Sequence, residues 1–91
     1  MDTETETDLA ALRAQVTDVD RRLIALVNER LELVQQIWEH KRRHGLDRVD
    51  PDRERWLFET LEAANSGPLT GEGLRELYAE VLALTKREMD R

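Results

Sequence analysis

The chain contains no cysteine and, in 91 residues, only two histidines, four glycines and two prolines. The absence of cysteine excludes disulfides, thiolate zinc sites and thiol nucleophiles, and it suits a reducing compartment. Two histidines are too few for a multi-histidine metal centre, so we expect no metal. At this length the chain forms one domain.

Long apolar runs and an excess of positive charge are also missing. No uninterrupted apolar stretch approaches the ~20 residues that cross a bilayer, and the N-terminus carries acids where a signal peptide carries bases. A net charge of -6 argues against a nucleic-acid-binding surface. We therefore expect a small cytoplasmic domain that binds neither membrane nor nucleic acid.

The acidic residues are concentrated at the start of the chain. Residues 1–8 (MDTETETD) contain four acids and no base. This segment is polar and has nothing to bury, so we predict a flexible tail over residues 1–8 and a folded domain over residues 9–91.

A single long helix is predicted to follow the tail. Residues 8–44 contain no glycine or proline, Asp8 can serve as N-cap, and Gly45 is suited to end the helix. Apolar side chains recur at alternating steps of three and four, which is a heptad seam interrupted once by an arginine. The seam consists of Leu9, Leu12, Val16, Val19, Leu23, Leu26, Arg30, Leu33 and Ile37.

The length of this helix predicts an oligomer. About 36 residues make a rod of ~54 Å, whereas a compact chain of this size has a radius of gyration near ~12 Å. Two short helices cannot cover the whole seam, so we expect a twofold dimer with paired long helices. An ordinary coiled coil is the alternative.

Two shorter helices complete the predicted all-α fold, with three helices per chain. Asp50 and Pro51 are typical of an N-cap and first helical residue, and Asn65-Ser66-Gly67-Pro68 ends that helix. Thr70 can cap the last helix. The residues expected to face inward from it are Leu74, Leu77, Tyr78, Val81, Leu82, Leu84 and Thr85.

Several cations occupy positions that an apolar interior does not explain. Arg30 replaces an apolar seam residue and requires an anion, from a carboxylate of the protein or from a ligand. Lys41 lies three turns further along the same face, roughly 16 Å away. Arg13 cannot join them within one chain, but the partner's copy can in an antiparallel dimer. The alternatives are a register-setting Arg30 and a solvated Arg13.

Further polar residues cluster around the shorter helices. Asp50, Arg53 and Glu54 stand at the start of the second helix, where Asp50 can act simply as N-cap and Glu54 gains from the helix dipole. Thr85 can donate a hydrogen bond back to the carbonyl of residue 81.

These residues and their order resemble the all-helical class of chorismate mutases. The likeness extends from about Leu9 to Met89, and its most specific part is the spacing of six polar residues. The matching positions are Leu12-Arg13, Val19-Asp20-Arg21-Arg22-Leu23, Glu29-Arg30, Lys41, Gly45 and Asp50-Pro51-Asp52-Arg53-Glu54.

The resemblance implies an intertwined homodimer with two equivalent sites. It implies a unimolecular Claisen rearrangement of chorismate to prephenate, without cofactor or metal, in aromatic amino acid biosynthesis by the shikimate pathway. It also implies that some members are activated by a partner enzyme.

Site roles follow by position from the same resemblance. Arg30 and the partner chain's Arg13 would each bind a substrate carboxylate, and Lys41 would reach a carboxylate and the ether oxygen. Asp50 and Glu54 would hold the ring hydroxyl, Glu54 more directly, and Arg53 would line the site. Thr85 stands where a serine usually touches a carboxylate.

The sequence departs from the family pattern one turn after Thr85. The family usually has a glutamine or glutamate there that donates to the ether oxygen, whereas this chain has Met89, which cannot donate. A mutase that relies on Lys41, a shifted helix end that lets Glu88 fill the position, and a related substrate are all consistent with this change.

Two other functions stay open at this point. A relative of the same fold could be a 4-amino-4-deoxychorismate mutase or an isochorismate-pyruvate lyase, because a carboxylate clamp does not read the ring substituent. A non-catalytic helical dimerisation module would instead satisfy its cations with acids such as Glu29 or Glu32.

Overall fold

The structure is a computed structural model that describes residues 3–47 and 50–91. It contains three helices, α1 (Thr3–Arg43), α2 (Pro51–Ala64) and α3 (Gly71–Met89), and no strand among the described residues. The prediction of an all-α fold with one long and two shorter helices is confirmed. The chain divides into two compact units, and the boundary between Leu33 and Val34 lies inside α1.

The first helix begins earlier than the sequence predicts. It starts at Thr3, so Asp8 lies inside α1 and the prediction of Asp8 as N-cap is wrong. Glu4 and Glu6 lie in the first turn, where carboxylates are stabilised by the positive end of the helix dipole. Residues 1 and 2 of the predicted tail lie outside the described residues, and its flexibility stays a prediction.

Gly45 ends the first helix as the sequence predicts. Its φ of 65° lies in the left-handed region that favours glycine. The Leu46 N–H donates to the Lys41 carbonyl at 2.8 Å, and the Gly45 N–H donates to the Arg42 carbonyl at 3.4 Å. These two bonds form the Schellman motif, which satisfies the last carbonyls of the helix around Lys41.

In the first unit, the apolar face of α1 is exposed. The apolar seam residues of this unit have 46–60% of their surface accessible in the single chain, and they are Leu9, Leu12, Val16, Val19, Leu23, Leu26 and Leu33. Arg30 is half-buried, although Leu26 and Leu33 on either side of it are more than half exposed.

In the second unit, α2 and α3 pack as a helical hairpin. Both predicted N-caps are confirmed, because Asp50 Oδ1 accepts the Arg53 N–H at 3.1 Å and Thr70 Oγ1 accepts the Gly73 N–H at 3.0 Å. Gly73 also leaves room for its neighbour, since a Cβ there would lie 3.0 Å from Cδ1 of Leu69.

The hairpin has a small apolar interior. Leu74 is buried, and most of the other predicted inward residues of α3 are half-buried, but Leu77 is 49% exposed in the single chain. Trp56, expected in the apolar stripe of α2, is 51% exposed. The hairpin therefore buries only part of the apolar surface that its sequence pattern provides.

Two ion pairs join α2 to α3. Glu62 Oε1 lies 2.6 Å from Arg75 Nε near the connecting loop, and Glu54 Oε1 lies 3.5 Å from Lys86 Nζ at the open end of the hairpin. The two pairs lie at opposite ends of the antiparallel hairpin.

Candidate active site

The start of α2 presents three of the predicted site residues on a capped first turn. The side chain of Asp50 is engaged as N-cap, and its backbone carbonyl accepts the Glu54 N–H at 3.1 Å. Asp50 and Arg53 are exposed, while Glu54 is half-buried. The cap interpretation of Asp50 is thus confirmed, and one carboxylate oxygen already has a main-chain partner.

Arg53 stacks on an aromatic ring. Its guanidinium carbon lies 4.3 Å from the centroid of Trp56, which is a cation–π contact one helical turn away. The planar guanidinium is held over the indole in the single chain, although neither side chain is buried.

The end of α3 carries the remaining predicted residues. Thr85 is buried, and its hydroxyl donates to the Val81 carbonyl at 2.6 Å, which confirms the predicted bond within the helix. A hydroxyl has a single hydrogen, so Thr85 must rotate before it can donate to a carboxylate.

The end of α3 carries Met89, the residue at which the sequence departs from the family pattern. Met89 is half-buried and is the last residue of α3. Glu88 pairs with the guanidinium of Arg91, so its carboxylate is engaged at the C-terminus of the helix. Which of Glu88 and Met89 takes the family's donor position stays a prediction.

The cations of α1 are divided between the two units. Arg13 and Arg30 belong to the first unit, where Arg13 is exposed and Arg30 is half-buried; Lys41 belongs to the second unit and is half-buried. Within a turn of Lys41, the guanidinium of Arg42 lowers the pKa of the Glu39 carboxyl by a hydrogen bond and by its charge. That carboxylate therefore stays ionised beside the basic end of the helix.

Sequence reasoning missed the contact between Glu54 and Lys86. The structure brings Glu54 of α2 next to α3 through this ion pair, immediately after the buried Thr85. The sequence feature that could have drawn attention to Lys86 is the rarity of lysine, since Lys41 and Lys86 are the only two in the chain. The contact itself depends on the register of the hairpin.

A separate cleft of about 590 Å³ lies at the loop end of the hairpin. Glu62, Asn65, Leu69 and Arg75 contribute to its wall, and none of the nine predicted site residues does. The pair of Glu62 and Arg75 crosses this region and raises the pKa of the arginine. The cleft is therefore distinct from the predicted site.

Comparison with known proteins shows the family. The family model described as chorismate mutase type II matches residues 12–90. The chain belongs to this family, as its residue pattern indicates, and the match covers α1 from residue 12 onward and all of α2 and α3.

Relatives agree with this membership. The chain is 31% identical over 80 residues to a bifunctional chorismate mutase/prephenate dehydratase of Aquifex aeolicus, covering 84% of this chain and 22% of that protein. It is 41% identical over 61 residues to the T-protein of Haemophilus influenzae, covering 65% of this chain and 16% of that protein. The chain thus spans about a fifth of the length of these curated relatives.

A solved structure has the same fold over almost its full length. Chorismate mutase (form II) from Thermus thermophilus superposes with a TM-score of 0.86 at 35% identity, and the match covers 91% of this chain and 94% of that one. None of the helices in the described part of this chain is long and apolar enough to cross a membrane.

Proposed function

We propose that this chain is a chorismate mutase, which converts chorismate to prephenate in aromatic amino acid biosynthesis. The observation that carries the proposal is the match to the Thermus enzyme, which covers 94% of that chain at 35% identity. The polar pattern at the start of α2 and along α1 supports it, since the residues that the family uses stand at the matching positions.

The reaction suits the chemistry of these side chains. In a Claisen rearrangement the ether C–O bond breaks as a new C–C bond forms, with no net gain or loss of protons or electrons. The enzyme must hold a flexible dianion in a compact conformer, which can account for several kcal/mol of the barrier. It must also place positive or donor groups at the ether oxygen, where negative charge grows.

We assign the residues by their positions in the family pattern. Arg30 and the partner chain's Arg13 bind the two carboxylates, and Lys41 contacts a carboxylate and the ether oxygen. These roles call for a guanidinium fork at the carboxylates and for a compact ammonium at the developing charge.

The remaining roles belong to the helical hairpin. Glu54, supported by Asp50, accepts the hydrogen bond of the ring hydroxyl, and Arg53 lines the site. Thr85, Glu88 and Met89 at the end of α3 close the site on the side of a substrate carboxylate.

The active form is a homodimer with shared sites. In the first unit, seven apolar seam residues of α1 are about half exposed or more, and such a continuous apolar face marks an interaction surface. A second copy is the simplest cover, because a twofold axis places the same face on both partners. The arrangement supplies Arg13 from the partner chain. A cytoplasmic location stays a prediction of the sequence.

A related substrate is the second candidate, because a carboxylate clamp does not read the ring substituent and the sequence departs from the family pattern at Met89. Chorismate, isochorismate and 4-amino-4-deoxychorismate should therefore be assayed side by side. The fused relative is named for prephenate dehydratase as well as for the mutase. An enzyme that consumes prephenate is therefore the partner to add when testing for activation.

The proposal is tested by following the loss of chorismate absorbance with purified protein. We expect wild type to turn over chorismate and Arg30→Ala to lose about 100-fold in kcat/KM. Arg21→Ala is the matched control, because Arg21 is exposed and pairs with Asp18 of its own helix at 3.0 Å. If folded wild type did not turn over chorismate, the proposal would be wrong, and turnover of one of the other two substrates would support the second candidate.

A further inference from the structure

Lys86 has no role in the family pattern, yet it contacts a residue that has one. Its ammonium nitrogen lies 3.5 Å from Oε1 of Glu54, across the interface between α3 and α2 at the open end of the hairpin. The side chain of Lys86 is 53% exposed and that of Glu54 is 37% exposed. The pair therefore lies at the mouth of the hairpin, where a ligand can also reach the carboxylate.

The surroundings of Lys86 place it beside the proposed site. It follows the buried Thr85 directly and precedes Met89 by one helical turn. Glu54 is itself half-buried on the first turn of α2, with its N–H bonded to the Asp50 carbonyl. The backbone of Glu54 is thus fixed by the capped turn, and Lys86 lies beside the carboxylate at the far end of the side chain.

We propose that Lys86 is a positioning residue that holds the Glu54 carboxylate as acceptor for the ring hydroxyl of the substrate; this inference rests on the proposed chorismate mutase function. A carboxylate has two oxygens and can accept from both partners at once. The ammonium takes Oε1, and Oε2 stays available to the hydroxyl.

The positive charge of Lys86 has a second effect on substrate binding. The substrate is a dianion, so an uncompensated Glu54 carboxylate opposes its entry. The ammonium at 3.5 Å offsets this charge without removing the acceptor. Because the hydroxyl makes and breaks no bond in the rearrangement, the benefit falls about equally on bound substrate and transition state, and it appears in KM more than in kcat.

A purely structural role for Lys86 is a weaker explanation of the Glu54–Lys86 ion pair. Partly exposed ion pairs contribute little to stability, and the hairpin already has a shorter pair at its other end, between Glu62 and Arg75 at 2.6 Å. Loss of the Lys86 contact should therefore leave the fold intact and change substrate affinity.

The test compares Lys86→Met with Arg87→Met in the chorismate assay. Both variants remove one cation from adjacent positions of α3, but Arg87 pairs with Glu80 on its own helix. We expect Lys86→Met to raise KM about tenfold and to change kcat less than about twofold, and Arg87→Met to match wild type. Lys86→Arg, which keeps the charge, should restore most of the affinity.

A double-mutant cycle with Glu54→Gln shows whether Lys86 acts through Glu54. In the Glu54→Gln background, the effect of Lys86→Met on KM should fall below about twofold. Circular dichroism and urea unfolding verify that each variant folds, and Lys86→Gln replaces the methionine variant if that one does not.

Two results overturn the inference while the proposed function stands. The first is a Lys86→Met enzyme with the KM of wild type, and the second is an unchanged Lys86 effect in the Glu54→Gln background. A folded wild type that does not turn over chorismate removes the proposed function itself, and the inference with it.

Discussion

Oδ1 of Asp50 accepts a hydrogen bond from the backbone N–H of Arg53 at 3.1 Å, so the carboxylate that caps α2 also fixes the turn bearing Arg53 and Glu54. The position of two proposed substrate contacts thus depends on a helix cap. A cap role and a substrate role for Asp50 are separable, because an amide caps a helix nearly as well as a carboxylate does.

Asp50→Ala should lower the free energy of unfolding by about 1 kcal/mol, since the cap is lost. Asp50→Asn should keep the stability of wild type and, if the negative charge serves the substrate, lower kcat/KM. Urea unfolding and the chorismate assay measure the two effects. Asp52→Ala is the control, because Asp52 is largely exposed and pairs with Arg55 of its own helix. If Asp50→Ala were as stable as wild type, Asp50 would not act as a stabilising cap.

Met89→Gln should raise kcat on chorismate about tenfold, because glutamine supplies a hydrogen-bond donor near the ether oxygen that methionine lacks. Met89→Leu, which adds no donor, is the matched control and should stay near wild type. Steady-state kinetics on both variants decide the point. An unchanged rate for the glutamine variant would mean that the end of α3 does not reach the reacting bond.

Leu23→Glu should dissociate the proposed dimer, since it places a charge in the middle of the exposed apolar seam of α1. Leu23 is 54% exposed in the single chain. If a second copy covers this position, a glutamate there loses its hydration, which disfavours association. Ala25→Glu makes the same change in charge off the seam, at another exposed position of α1. Sedimentation equilibrium should give a monomer for the first variant and a dimer for the second; a dimeric Leu23→Glu protein would exclude the seam as the interface.

The Glu39 carboxyl should titrate below its ordinary pKa, and Arg42→Gln should raise that pKa. The folded pKa is lowered, so the pair stabilises the helix end at neutral pH and loses this effect as the pH falls through the folded pKa. A carbon-detected NMR titration of Glu39 measures both proteins. Arg43→Gln should cause a smaller rise, because Arg43 acts on Glu39 by charge alone.

Local sequence signals predicted most of the helix boundaries. Asp50 and Thr70 cap their helices, and Gly45 ends α1, because each signal acts within a few residues of the chain. The predicted start of α1 was wrong: Glu4 and Glu6 extend the helix into a segment that was judged only by its lack of apolar residues.

The parts of the site that depend on tertiary contacts were less predictable. The pair of Glu54 and Lys86 joins residues on different helices, and no local pattern gives the register of α2 against α3. The exposure of Leu77 and Trp56 likewise depends on how much surface the hairpin covers. The convergence of Arg13 with Arg30 needs two chains and stays a prediction.

The most direct measurement of the shared site mixes two inactive variants, Arg13→Ala and Arg30→Ala. If Arg13 acts from the partner chain, a mixed dimer has one site with both arginines and one with neither. After subunit exchange in equal amounts, half of the dimers are mixed, so we expect recovery of about a quarter of wild-type chorismate turnover. Activity no greater than the mean of the two separate variants, with exchange verified, would contradict a site built from two chains.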